Sequence, residues 1–530
     1  MGWTRKKKKK DIIRLEKESV IPILKSKLIS SLSHLIENKD DRVEFLKFCK
    51  RVDSAIRAWY FIHFEDLLQL YTLFDPVHGA HPQNLSPEDI DNLEHVFLTH
   101  LFQVVLEKGN FKISTDEEIY IALSAQYRLN LPIIVDESKL DRRLLRGFFA
   151  NNPHADLPFF AEKYLIFRRG VGIDRHTAFF IKAKINTIIA RSWRNFLKYT
   201  GLKRFFSRKP RNPRNKSPTE PTEVNVGTEG DDDMFVERIH IENMKLGICK
   251  LLSRNTIQEP TFERIIVLYR RASSETDQDR NIYVKHFKNI PMADLEIVLP
   301  EKKNPTLTPV DWIKFILSAL MGLITIASSL QMPKADVRVI YAILSALIGY
   351  CIKTYFTFQK NLVNYQNLIA GSMYDKQLDS GRSTLLRLCD DVIQQEVKEV
   401  IISFFILMQN GKASKKDIDL RCEELIRKEF GKTCNFDVDD AIQKLDKLGI
   451  VSQDALGDYS CVELRHANRV IGMTTEEVVI KAKEGSHELT PLPSSLYSSN
   501  LDIDNVLDRK SLPHLQVQSE SESLFCFDKK

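Results

Sequence analysis

Between Lys314 and Lys334 lie nineteen uncharged residues, Phe315 to Pro333, dominated by Phe, Ile, Leu, Ala, Met and Ser. As an α-helix this run spans about 28 Å, close to the thickness of a bilayer's hydrocarbon core. No other feature narrows the fold as much. A second run, Val339 to Ile352, has fourteen residues. It reaches about 30 Å only by continuing through Lys353 to Phe358. Lys353 must then lift its ammonium toward an interface, because Lys at a helix centre costs roughly 2.5–3.5 kcal/mol on insertion scales. On its own the second run fits a soluble core helix better, but beside the first it predicts a transmembrane hairpin over residues 309–360, with spans near 313–332 and 338–358.

The connection, Met332 to Val337, is short and carries Pro333, so the two helices are expected to run antiparallel. Cations at the outer ends (Lys302, Lys303, Lys314, Lys353, Lys360) outnumber those near the loop (Lys334, Arg338). By the positive-inside rule both termini share the inner side of a multi-pass membrane protein. Ser318 and Gly322 on the first run and Ser345 and Gly349 on the second recur at helical spacing, a pattern that lets helices pack closely in lipid. Neither run holds an Asp, Glu, His or Arg, which argues against a pore.

The rest of the chain is ordinary for a folded protein. Its 530 residues suggest three or four units at roughly 100–200 residues each. A net charge of +6 gives no global preference for nucleic acid, and eight scattered Cys do not form a disulfide framework. Arg5 to Lys10 is a basic tail (1–10) that no apolar secretion segment follows, and Asp11, Glu16 and Glu18 weigh against an organellar presequence. The expected fold class is α+β and mostly helical. Residues 11–204 read as a mainly helical N-terminal domain in which Ser86-Pro87-Glu88-Asp89 opens a helix. Pro, basic and then acidic residues mark 205–233 as a disordered linker. Short Val, Ile, Phe and Tyr runs make 234–308 a small α+β module.

Beyond the hairpin, residues 361–475 form three helical stripes that stop near Gly411, Gly431 and Gly449, and a Gly457-Asp458 hairpin follows. That is a winged-helix-like order. Asp437, Asp439, Asp440 and Asp446 on the third helix would repel phosphates, so a protein partner rather than nucleic acid is expected there. Residues 486–530 read as a disordered tail.

No zinc-protease, nucleophile-elbow, P-loop or paired-cysteine spacing occurs, so no cofactor and no metal are expected. The segment Arg168-Arg169-Gly170-Val171-Gly172 reads first as a structural turn and second as an anion cradle. The carboxylates between Asp375 and Glu399 read first as a solvated face and second as a cation site. Arg168, Arg169, Asp379 and Arg382 are the ligand candidates.

Several segments together resemble the transmembrane protein 143-like family, a plant and animal domain of unknown function. They are Glu117-Glu118 with Ala122 to Ser124, Asn130 to Asp141, Phe167 to Arg175, Pro291 to Glu296, and Tyr374 to Arg382. The resemblance spans roughly residues 50–475 and implies an integral protein of a mitochondrial or plastid membrane. The leading expectation is therefore an integral membrane protein that presents soluble domains on one face as a binding or scaffolding surface, with the lipid bilayer and a protein as partners. The alternative is a membrane-tethered, hydrolase-type enzyme with its site at Arg168–Arg175 or Asp375–Glu399.

Overall fold

The computed structural model describes residues 12–15, 17–77, 86–116, 135–154, 157–181, 234–241, 252–272, 280–302 and 337–486, with isolated positions between 118 and 127, between 183 and 192, and at 244, 320 and 324. The basic tail, the 205–233 linker, residues 487–530 and nearly all of the first apolar run lie outside the described residues. Met1–Gly472 form one compact unit and Met473–Lys530 another.

The N-terminal helices begin at side chains that satisfy free backbone donors. After α1 (Lys25–His34), α2 (Lys39–Thr72) opens at Asn38, which accepts the Asp40 amide at 3.0 Å. α3 (Pro87–Phe102) opens at Ser86, whose Oγ accepts the Asp89 amide at 3.2 Å with Pro87 in the first turn, where the sequence places it. It passes into a π-helical turn, Gln103–Lys108. α4 (Arg143–Asn151) follows.

Five antiparallel strands form the main sheet, in the order β2 (Lys112–Ile113), β3 (Tyr164–Ala178), β5 (Asn255–Arg270), β6 (Ile282–Pro291) and β7 (Gln377–Ser380). β1 (Ile12–Leu15) pairs separately with β4 (Met234–Glu237). Leu165, Phe167, Ile266, Leu268 and Val284 enter the larger core shared with the helices. Tyr164, Ile166, Ile265, Val267 and Phe287 enter a second core, closed by the 3₁₀ stretch Met292–Val298. Both faces are buried, so Ile265-Ile266-Val267-Leu268 reads as an unbroken apolar run rather than an alternation. The sheet takes strands from the expected N-terminal domain, from the α+β module and from beyond the second apolar run.

Arg168 to Arg175 is therefore strand β3, not a loop. Pairing with β5 lapses at Gly170, whose φ is 71° and where an added Cβ would stand 2.8 Å from Glu263 Oε2. Gly170→Val is expected to destabilise by about 1–3 kcal/mol through strain and this clash, read as a lower urea midpoint. An unchanged midpoint would show that the strand bends without the glycine.

The membrane expectation is corrected. Among the described residues no helix is long and apolar enough to cross a membrane. The second run is the opening of α5 (Val337–Lys376), a single 40-residue helix. Its uncharged stretch Val339 to Ile352 corresponds to about 21 Å, and the helix runs on through Lys353, Lys360 and Lys376. Ser345 and Gly349 are exposed rather than packed in a seam: Ser345 Oγ donates back to the Ala342 carbonyl at 2.9 Å, and nothing lies within 4 Å of a Cβ placed on Gly349. Ser318 and Gly322 lie outside the described residues. The two-span integral protein, its multi-pass location with both termini on one side of an organelle membrane, and the membrane-face scaffold fall with this finding.

α6 (Arg382–Asn410) is the central helix. Val397, Val400, Ile401, Phe404 and Phe405 are all fully buried, with Phe404 stacked on Phe48 of α2 at 4.1 Å. α7 (Lys415–Phe430), α8 (Val438–Lys447), the hairpin β8 (Val451–Gln453) and β9 (Tyr459–Cys461), and α9 (Leu464–Ile471) complete this unit. Gly411, Gly431 and Gly449 take φ of 73°, 61° and 70° at the three expected helix stops. In the second unit, α10 (Thr475–Ser486) starts at a capping box in which Thr474 Oγ1 accepts the Glu477 amide and Glu477 Oε2 accepts that of Thr474.

Candidate functional site

A cavity of about 780 Å³ opens between α3, α4 and the β5–β6 end of the sheet. α3 contributes Asp91, Glu94 and His95. Asp141 and Arg143 stand at the start of α4, Arg270 and Arg271 at the end of β5, and Arg280 just before β6. Arg270 is buried, and its guanidinium is shared between Glu94 at 2.5 Å and Asp141 at 3.5 Å. Arg280 bonds Asp91 and lies 3.5 Å from Glu94. Arg271 reaches Glu301 at 2.5 Å and lies over the Tyr283 ring. Burial pushes the Glu94 carboxyl above the usual carboxylate range, against the pull of Arg270 and Arg280. Four arginines and three carboxylates thus surround one concave space, the setting in which polar ligands are held by convergent charges.

The sequence candidates are placed elsewhere. Arg168 forks onto Glu118, with Nε at 2.9 Å from Oε2, and Arg169 bonds Asp391 and the Gly109 carbonyl at 3.0 Å each while lying over the Phe111 ring. Asp379 on β7 receives Arg387 of α6, and Arg382 is exposed in the first turn of α6. The carboxylates from Asp375 to Glu399 divide. Asp375 and Asp390 are exposed, while Glu396 and Glu399 are buried.

Those two acids and Asp440 of α8 bring carboxylate oxygens within 4.8 Å of one another, the only group of this kind among the described residues. Lys444 fills their centre, 3.0 Å from Glu399 and bonded to Glu396 and Asp440, and Lys108 stands 3.5 Å from Asp440. One ammonium thus takes the place a metal ion would hold, and a second stands beside it. Burial pushes the Glu399 carboxyl up to about 7 against the opposing pull of Lys444. Burial works against the Lys444 charge, but the three carboxylates outweigh it and raise its pKa. A second buried acid, Glu259, accepts from Arg238 at 3.0 Å, from the Ala293 amide at 2.9 Å, and lies 2.8 Å from His240 Nε2. Burial pushes its carboxyl up, yet the His240 and Arg238 hydrogen bonds win and hold it below the usual range. This set ties β5 to the segments before and after it.

Sequence reasoning passed over the cavity residues, although one signal was present. Glu94 sits on the stripe of Ile90, Phe97, Leu98 and Leu101, where a charge has no place unless it meets a partner. Glu396 and Glu399 break the apolar stripe of α6 in the same way.

A family model described as a protein of unknown function (DUF3754) matches residues 262–383, a span that holds Arg270, Arg271 and Arg280. No curated protein and no solved structure matches the chain.

Proposed function

We propose that the chain is a binding protein for a small zwitterion, a compound with both carboxylate and amino groups, taken into the α3–α4–sheet cavity. What supports this is the mixed lining: Arg143, Arg270, Arg271 and Arg280 suit a carboxylate, while Asp91, Glu94 and Asp141 suit an ammonium. The volume lies within the range of small-ligand sites, about 300–1,000 Å³. Glutamate, arginine and a Glu–Arg dipeptide are the probes. At least one is expected to raise the melting temperature, and Arg280→Gln, near the edge of the charge network, is expected to weaken its binding at least tenfold. If none of the three shifts the melting temperature, this reading is wrong.

We also infer that the end of α6, α7, α8 and the β8–β9 hairpin form a winged-helix-like unit. The element order supports it, as does the isolated antiparallel bridge between Ala413 and Tyr459, which ties the segment before α7 to the hairpin. α8 is taken up inside the chain: Ala441, Ile442 and Leu445 are buried, and Lys447 lies over the Trp59 ring of α2 at 4.5 Å. What this unit leaves for a protein partner is the wing, where Leu456 is 89% exposed. Kinship with the transmembrane protein 143-like family is proposed from the quoted segments alone; two of them, Pro291 to Glu296 and Tyr374 to Arg382, fall inside the matched span.

A further inference from the structure

The register of the main sheet aligns Arg169 of β3 with Arg264 of β5, and Arg264 with Lys288 of β6. Three cations stand side by side across three strands. In the next row on the same face Phe167 aligns with Ile266, Ile266 with His286, and His286 with Asp379 of β7. This is the face that α6 covers, since Arg169 reaches Asp391 and Asp379 reaches Arg387. Like charges directly opposite one another destabilise a sheet unless something offsets them.

For two of these cations nothing does. Arg169 has Asp391 and Arg387 has Asp379, but Arg264 and Lys288 have no hydrogen-bond or ion-pair partner among the described residues. His286 is fully buried, and neither of its ring nitrogens has a hydrogen-bond partner. A buried imidazole left unpaired costs free energy. Around it stand Arg169, Arg264 and Arg387, with Asp379, the acceptor of Arg387, directly opposite in β7, and burial together with the guanidinium groups keeps the ring neutral down to about 3. The row runs from buried Arg169 through half-buried Arg264 to exposed Lys288, so its outer end meets solvent.

We propose that Arg264 and Lys288, at the solvent end of this row and backed by buried Arg169, bind a phosphate group, as free phosphate or as a small phosphate monoester. A phosphate monoester carries about −1.5 to −2 charges at pH 7 and several strong acceptor oxygens. It offsets two unpaired cations, where a single carboxylate leaves one over. The guanidinium fork of Arg264 and the Lys288 ammonium are donors suited to it. The site shares no residue with the arginine and carboxylate cavity and does not depend on it.

The test is calorimetric titration of the full chain with inorganic phosphate and, separately, glycerol 3-phosphate, at ionic strength held constant with chloride. Saturable binding is expected. Arg264→Gln should weaken it at least tenfold and Lys288→Gln severalfold, while Arg280→Gln in the other cavity should leave it unchanged. Lys288 is exposed, so its variant serves if Arg264→Gln fails to fold. Tighter binding of inorganic phosphate marks a free-anion site, and tighter binding of glycerol 3-phosphate marks a monoester site. Absence of saturable binding, equal affinity in wild type and both sheet variants, or loss of binding in Arg280→Gln instead, overturns the proposal.

Discussion

Lys444→Met is expected to cost about 3–5 kcal/mol of stability at pH 8, because it leaves buried Glu396 and Glu399 and half-buried Asp440 together without the ammonium between them. Lys108 alone cannot replace it, standing 3.5 Å from Asp440 and 4.0 Å from Glu396. The loss should shrink as pH falls, because protonated carboxyls no longer need the cation. In the wild type, Glu399 is raised from 4.5 to about 7 on folding, so the folded state binds more protons than the unfolded state between those values. Its contribution to stability is therefore unfavourable above about pH 7 and fades as pH drops toward 4.5. Urea unfolding of wild type and Lys444→Met from pH 5 to 8 checks both statements. A variant within about 1 kcal/mol of wild type at pH 8 would mean that this network is not what holds α8 to α6.

Phe404→Ala should be as severe, at about 3–5 kcal/mol. Phe404 is fully buried, its ring stacks on Phe48 at 4.1 Å, and the neighbouring Phe405 meets Phe45 at 5.7 Å. Emptying that position leaves a cavity between α2 and α6, the two long helices around which the larger core is arranged, and aromatic contacts add to the area term. The readout is the urea midpoint at constant slope. A loss below about 1 kcal/mol would show that the α2–α6 seam closes over the missing ring.

These two residues differ in how well their roles could be read in advance. Phe404 was legible as a core residue, because Val397, Val400, Ile401, Phe404 and Phe405 recur at helical spacing, a property of neighbours within two turns. Among its neighbours in the chain, Lys444 is one cation on an acidic helix. Its burial depends on Glu396 and Glu399, more than forty residues earlier. The Arg168 to Arg175 segment shows the same division: the aromatic and β-branched residues of Tyr164 to Ile173 favour a strand, while its glycines suggest a turn. Only the pairing with β5 turned that segment into a continuous strand.

Helix caps, helix stops and strand runs are written in short stretches of the chain. The Ser86 cap, the glycine stops at 411, 431 and 449, and the apolar strands of β5 and β6 stand where their spacing puts them, because caps, periodicity and left-handed glycines act over a few residues. Long-range packing supplied the rest. It set the second apolar run into a 40-residue helix rather than a bilayer span, and it joined Arg270 to Asp141 across 129 residues. It also aligned Arg169, Arg264 and Lys288 across three strands. Which charge meets which depends on strand register and helix docking, and neither is encoded in the spacing of any one segment.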